Sequence, residues 1–125
     1  MRIITWVLIL SFGLFSILNA NTFKEKMMDC NDGYAKACLD SGKIYSADAY
    51  KEKDYDKEKA ASKVASLYKR SCELGYAEGC TAYAMNYAAD KEKNPDKDTR
   101  YYFKKGCDGG DETGCTMLKM MPEGI

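Results

Sequence analysis

Beyond residue 20 the apolar positions of this chain recur with a helical period. Tyr76, Cys80, Tyr83, Ala84 and Tyr87 follow an i, i+4, i+7, i+8, i+11 pattern, one face of a helix, and Tyr34, Cys38, Ser41, Gly42 and Tyr45 repeat that spacing. A second kind of helical run lies upstream of each later bend. EKAASKVASLYKRSC sets Ala61, Val64, Ala65, Tyr68 and Cys72 on one stripe. NPDKDTRYYFKKGC opens with Pro95, a residue favoured at helix starts, and brings Tyr102 and Phe103 ahead of Cys107.

Glycine separates the runs. Gly33, Gly75 and Gly110 each stand three residues after a cysteine, where a glycine in the left-handed region ends a helix. The predicted unit is therefore helix, tight glycine turn, helix, with the two helices antiparallel. The whole reads as an all-α protein, an αα-hairpin solenoid of TPR-like character. The first unit has only the short TFKEKMMDC as its leading helix, and the last reaches Met120, Met121 and Pro122 before a full second helix can form. Such abbreviated ends suit the caps that a stacked array requires.

The cysteines follow the same repeat. CNDGYAKAC (30–38), CELGYAEGC (72–80) and CDGGDETGC (107–115) each hold a C-x7-C pair, and together they use all six cysteines. The third copy departs at Asp111, where the others have Tyr34 and Tyr76. Six cysteines allow 15 pairings in principle. The repeat singles out Cys30 with Cys38, Cys72 with Cys80, and Cys107 with Cys115, each closing a short loop worth roughly 2.5 kcal/mol on a chain-entropy estimate. Zinc sites favour cysteines two to four apart, and dithiol oxidoreductases use C-x-x-C; neither spacing occurs. Histidine is absent, which removes Ser-His-Asp and Cys-His pairs. No metal and no cofactor is expected.

The first twenty residues, MRIITWVLILSFGLFSILNA, place a basic Arg2 before an uncharged apolar run and end on Asn19 and Ala20. This is the pattern of a secretory signal peptide cut after Ala20. An uncleaved anchor is the competing reading, but the run from Ile3 to Leu18 is short for a span of about 20 residues. Residues 21–125 then form a single domain of two and a half to three units, secreted or periplasmic, with no membrane attachment after cleavage. Export favours disulfides over free thiols. Nineteen basic and nineteen acidic residues leave no basic stripe, so nucleic acid is not an expected partner.

The separation from Cys38 to Cys72 is 34 positions against 27 from Cys80 to Cys107, and the excess falls in YKEKDYDKEK (50–59). Its interleaved charges read as a solvated connector.

The nonapeptide C-x-x-G-[YD]-x-x-x-C, the downstream C-x3-[GA]-x2-Y and the preceding YKRSC or FKKGC resemble the Sel-like repeat proteins, and among them the secreted cysteine-rich branch. The resemblance covers essentially all of residues 21–125. It implies an αα-solenoid whose helix pairs are each pinned by a disulfide. It also implies a link to β-lactams, because members of this branch are described as penicillin-binding proteins or weak β-lactamases.

Two functional readings follow. The first is a module that binds a protein or peptide ligand in a groove formed by one helix of each pair, with Tyr83, Asn86 and Tyr87 as candidate contacts. Packing between helices is the competing role for both tyrosines. The second is weak β-lactam hydrolysis or penicillin binding, with a β-lactam or peptidoglycan-related ligand. SLYK (66–69) satisfies S-x-x-K, yet S-D-N and K-T-G are missing and Ser66 falls in the middle of a predicted helix. Ser66 therefore reads as a surface serine, and no catalytic residue is assigned.

Overall fold

The computed structural model describes residues 22–49, 51, 53–88 and 96–121. These form six helices and no strand: α1 (22–31), α2 (Ala35–Ala49), α3 (Lys57–Glu73), α4 (Ala77–Ala88), α5 (Asp96–Asp108) and α6 (Glu112–Met120). The leader sequence lies outside the described residues. Among those described, no helix is long and apolar enough to cross a membrane.

The bends after α1, α3 and α5 are built alike. Gly33, Gly75 and Gly110 have φ of 97°, 96° and 99°, a region open to glycine and strained for any side chain. After α3, the Gly75 N–H donates to the Cys72 carbonyl at 2.9 Å and the Tyr76 N–H to the Ser71 carbonyl at 3.1 Å, the paired bonds of a Schellman ending. The same two bonds recur from Gly33 and Tyr34, and from Gly110 and Asp111. Where the other bends carry tyrosine, Asp111 adds a side-chain contact, because its carboxylate caps α6 by accepting from the Gly114 N–H.

Each bend is bridged. Disulfides join Cys30 to Cys38, Cys72 to Cys80 and Cys107 to Cys115, with Cα separations of 4.6, 4.4 and 4.4 Å, and no free cysteine remains. Three such bridges belong to an oxidising environment.

Consecutive helices pack along the chain, α2 on α3, α3 on α4, α4 on α5 and α5 on α6. Contacts run antiparallel. Phe23 meets Tyr45 and Lys26 meets Asp40 across α1 and α2; Gly42 meets Tyr68 across α2 and α3; Ala77 meets Gly109 and Tyr83 meets Tyr102 across α4 and α5. Helices two apart also touch, α2 with α4 and α4 with α6. The even-numbered helices thus form a row.

Small residues allow the close approaches. A methyl group added at Gly79 would fall 2.6 Å from Ser71 Cβ and 3.0 Å from the Cys72 nitrogen. One added at Gly114 would fall 2.9 Å from the Cys107 nitrogen. Thr81, only 3% exposed, directs its hydroxyl into the space that Gly106 and Gly114 leave.

Two expectations from the periodicity require correction. On α3 the buried residues are Ala60, Val64, Leu67, Ser71 and Cys72, whereas Ala61 is exposed and Ala65 and Tyr68 are half-buried. Contact with α2 on one side and α4 on the other rotates the buried face toward Leu67, which joins Cys30, Ala37 and Cys38 in the core. Tyr34 is 66% exposed, because α2 starts only at Ala35 and Tyr34 belongs to the bend.

Gly79→Ala is expected to destabilise the protein by roughly 1–3 kcal/mol through overpacking. The loss should shrink in a Ser71→Gly background, which removes the nearest atoms. Denaturant unfolding of the four members of this cycle measures the coupling, and additive effects would contradict direct contact between the two positions.

Candidate functional site

The row formed by α2, α4 and α6 is the surface to which the sequence assigned ligand contacts, and α4 is its middle member. Tyr83 turns away from it. The residue is 8% exposed, and its ring meets Tyr102 of α5 edge-on with centroids 4.6 Å apart. Its position is therefore that of a packing residue between helices. Asn86, one turn away from Tyr83 in sequence, is half-buried. Tyr87 lies in α4, with its side chain outside the described part.

Polar groups tie this surface together across the bends. The Lys43 ammonium on α2 donates to Glu78 Oε1 on α4 at 3.0 Å, and the Tyr76 hydroxyl reaches Glu78 Oε2 at 3.4 Å. The hydrogen bond to Glu78 pushes the Lys43 pKa above its ordinary value near 10.5, while partial burial opposes the rise. Both members of the pair are about half exposed, at 53% and 48%, so water screens much of the attraction. Sequence reading missed this contact because the partners stand 35 residues apart.

A second feature lies beside the longer connector. Tyr45, Ala49, Asp54, Tyr55, Asp56, Lys59 and Ala60 line a hollow of about 140 Å³ between the end of α2 and the start of α3. Asp56 is already engaged there, since its Oδ1 caps α3 by accepting from the Glu58 and Lys59 N–H groups. Tyr45 is engaged as well: Lys63 Nζ sits 4.8 Å from the centre of its ring and Phe23 packs beside it. The hollow is a seam between helices, and two of its lining side chains, Asp56 and Tyr45, already serve the fold.

Ser66 and Lys69 are both exposed on α3, outside the even-numbered row. Among the described residues no group of three or more Cys, Asp or Glu side chains is placed to hold a metal ion. The pairing of the six cysteines places each bridge at the base of a helix pair, where its effect is mechanical.

The Lys43–Glu78 pair is expected to contribute on the order of 0.2–1 kcal/mol, the range of exposed ion pairs. A double-mutant cycle with Lys43→Met and Glu78→Gln measures it. A lysine whose pKa is raised on folding stabilises the folded state fully at pH below its unfolded value. The contribution should hold at neutral pH and fade as pH climbs past 10.5 through the folded pKa. A coupling unchanged at the alkaline end would show that the contact is not ionic.

Compared with known proteins, the chain matches no family model, no curated protein and no solved structure.

Proposed function

We propose that this chain is an exported protein of the Sel-like repeat type, an α-solenoid of disulfide-stapled helical hairpins that binds an extended segment of a partner protein. The observation that carries the reading is the equivalence of the three bends: the same glycine φ, the same pair of capping hydrogen bonds and the same cysteine spacing, with α2, α4 and α6 alongside one another. A row of helices held rigidly in register offers a ligand several turns at fixed spacing.

The residues at the two outer faces support the stacked reading. Four positions after the second cysteine stand Gly42 and Ala84, both buried, and then the exposed Lys119. One position after it stand Leu39 and Thr81, both buried, and then the exposed Thr116. At the other face, Leu67 sits five positions before a first cysteine and is buried, whereas the exposed Glu25 takes that place in the first unit. Gly106, which receives Thr81, corresponds to the exposed Asp29. Where an inner unit meets its neighbour the residues are small or apolar, and at the outer faces the equivalent residues are polar, as in capped arrays.

The β-lactam reading draws its support from family resemblance alone. Ser66 stands exposed within α3 beside an equally exposed Lys69, and neither lines the hollow between α2 and α3.

A photo-crosslinking residue at position 86 of the disulfide-bonded protein tests the binding function, with position 66 on α3 as control. Recovery of one recurring peptide sequence from position 86 alone is the expected result. Equal recovery from both positions, or none from either, would sink the reading. Turnover of a chromogenic cephalosporin that disappears in Ser66→Ala would establish the enzymatic alternative instead. The stacking model makes its own prediction: Thr116→Leu combined with Lys119→Ala should convert the outer face into one that self-associates. Sedimentation should detect a concentration-dependent dimer in the variant and a monomer in the parent.

A further inference from the structure

The outer part of the row formed by α4 and α6 is rich in sulfur. Of the seven methionines in the chain, Met27 packs against the cluster of Cys30, Ala37, Cys38 and Leu67. Met85, Met117, Met120 and Met121 instead gather on two neighbouring helices. Met117 and Met120 stand at i and i+3 on α6, and Met121, its C-cap residue, at i+4. At about 100° per residue these three side chains fall within one arc of roughly 100° on the helix.

Met85 stands on α4, which touches α6. Because α4 and α6 each run antiparallel to α5, they run in the same direction. Thr81 of α4 lies against Gly114 of α6. Counting one helical turn on from that contact reaches Met85 on α4 and Leu118 on α6, the latter between Met117 and Met121 in sequence. Met85 is 48% exposed and Met120 73%, while Met117 and Met121 are half-buried. The corresponding positions of α2 carry Asp40, Lys43 and Ile44, so the row changes from charged to thioether-bearing along its length.

Leucine or isoleucine would supply apolar area as well as methionine does. What methionine adds is a neutral, polarizable sulfur donor. Thioethers select soft cations such as Cu(I) over zinc, calcium or magnesium, which prefer harder or charged ligands. All six cysteines are held in disulfides, so thiolates do not compete for such an ion.

We propose that Met117, Met120 and Met121, with Met85 as a further donor, form a thioether site for a soft monovalent cation, Cu(I) being the biological candidate. The site involves no electron transfer: the ion binds as Cu(I) through sulfur lone pairs. It lies beyond the partner-binding function and does not depend on it.

Ag(I), a closed-shell surrogate that needs no reductant, is the first probe. The disulfide-bonded protein, confirmed free of thiols, is labelled with carbon-13 at the methionine methyl groups and titrated by NMR. The methyl signals of Met85, Met117, Met120 and Met121 should shift and saturate at one equivalent, with those of Met27 and Met28 unmoved. Competition against a chromophoric Cu(I) chelator should then show affinity at least tenfold weaker in the Met117→Leu, Met120→Leu, Met121→Leu variant, which keeps the apolar surface. Met28→Leu should bind as the parent does. Absence of Ag(I)-induced shifts, equal shifts at the exposed Met28, or undiminished Cu(I) affinity in the triple variant would each overturn the proposal. The last outcome would leave the cluster as an adaptable apolar contact surface.

Discussion

A bend that must reverse a helix within a few residues sets the terms for the rest of this protein. Glycine supplies the backbone angle, and the two capping hydrogen bonds satisfy carbonyls that the end of the helix would otherwise leave unpaired. The disulfide then holds the last turn of one helix against the first turn of the next, with Cα atoms less than 5 Å apart. Bridging at the bend closes only a short loop, so the entropic gain of each is modest. Its larger effect is on geometry: helices emerging from a bridged bend have little freedom to splay.

Close helix approach follows from that geometry and demands small side chains. Gly79 opposite Ser71, and Gly106 and Gly114 around Thr81, sit where backbones come near one another. Ser71 and Thr81 are buried, and their hydroxyls have no hydrogen-bond partner among the described residues. They are tolerated because they are compact enough to fill the space between backbones. Among the described residues the fully buried side chains run from Phe103 and Leu39 down to the cysteines and serines, so small groups make up much of this core.

Such a scaffold leaves its outer helix faces available for function. On the proposed reading the even-numbered helices present a rigid row. It carries a cross-helix ion pair at one end, Lys43 with Glu78, and a methionine cluster at the other. A peptide and a soft cation make different demands on that row. The peptide needs spacing that the bridged bends keep constant, whereas the cation needs donors within reach of one another, which one helical arc and its neighbour supply.

The sequence by itself determined the bends and the pairing of all six cysteines, because each depends on local chemistry within nine residues: a glycine three positions after a cysteine, and a second cysteine within reach across the turn. The helical class followed from apolar periodicity over about twelve residues. The sequence left Tyr83 open between ligand contact and packing, and only burial against Tyr102 of α5 decided for packing. Only the tertiary structure decided which side of α3 is buried. Periodicity reveals that a helix has an apolar stripe, but neighbours on two sides turned that stripe toward Leu67 and Ser71 and left Ala61 in water. The same holds for Lys43 with Glu78, which lie 35 residues apart and are brought together by the packing of α2 against α4, not by the spacing along either helix.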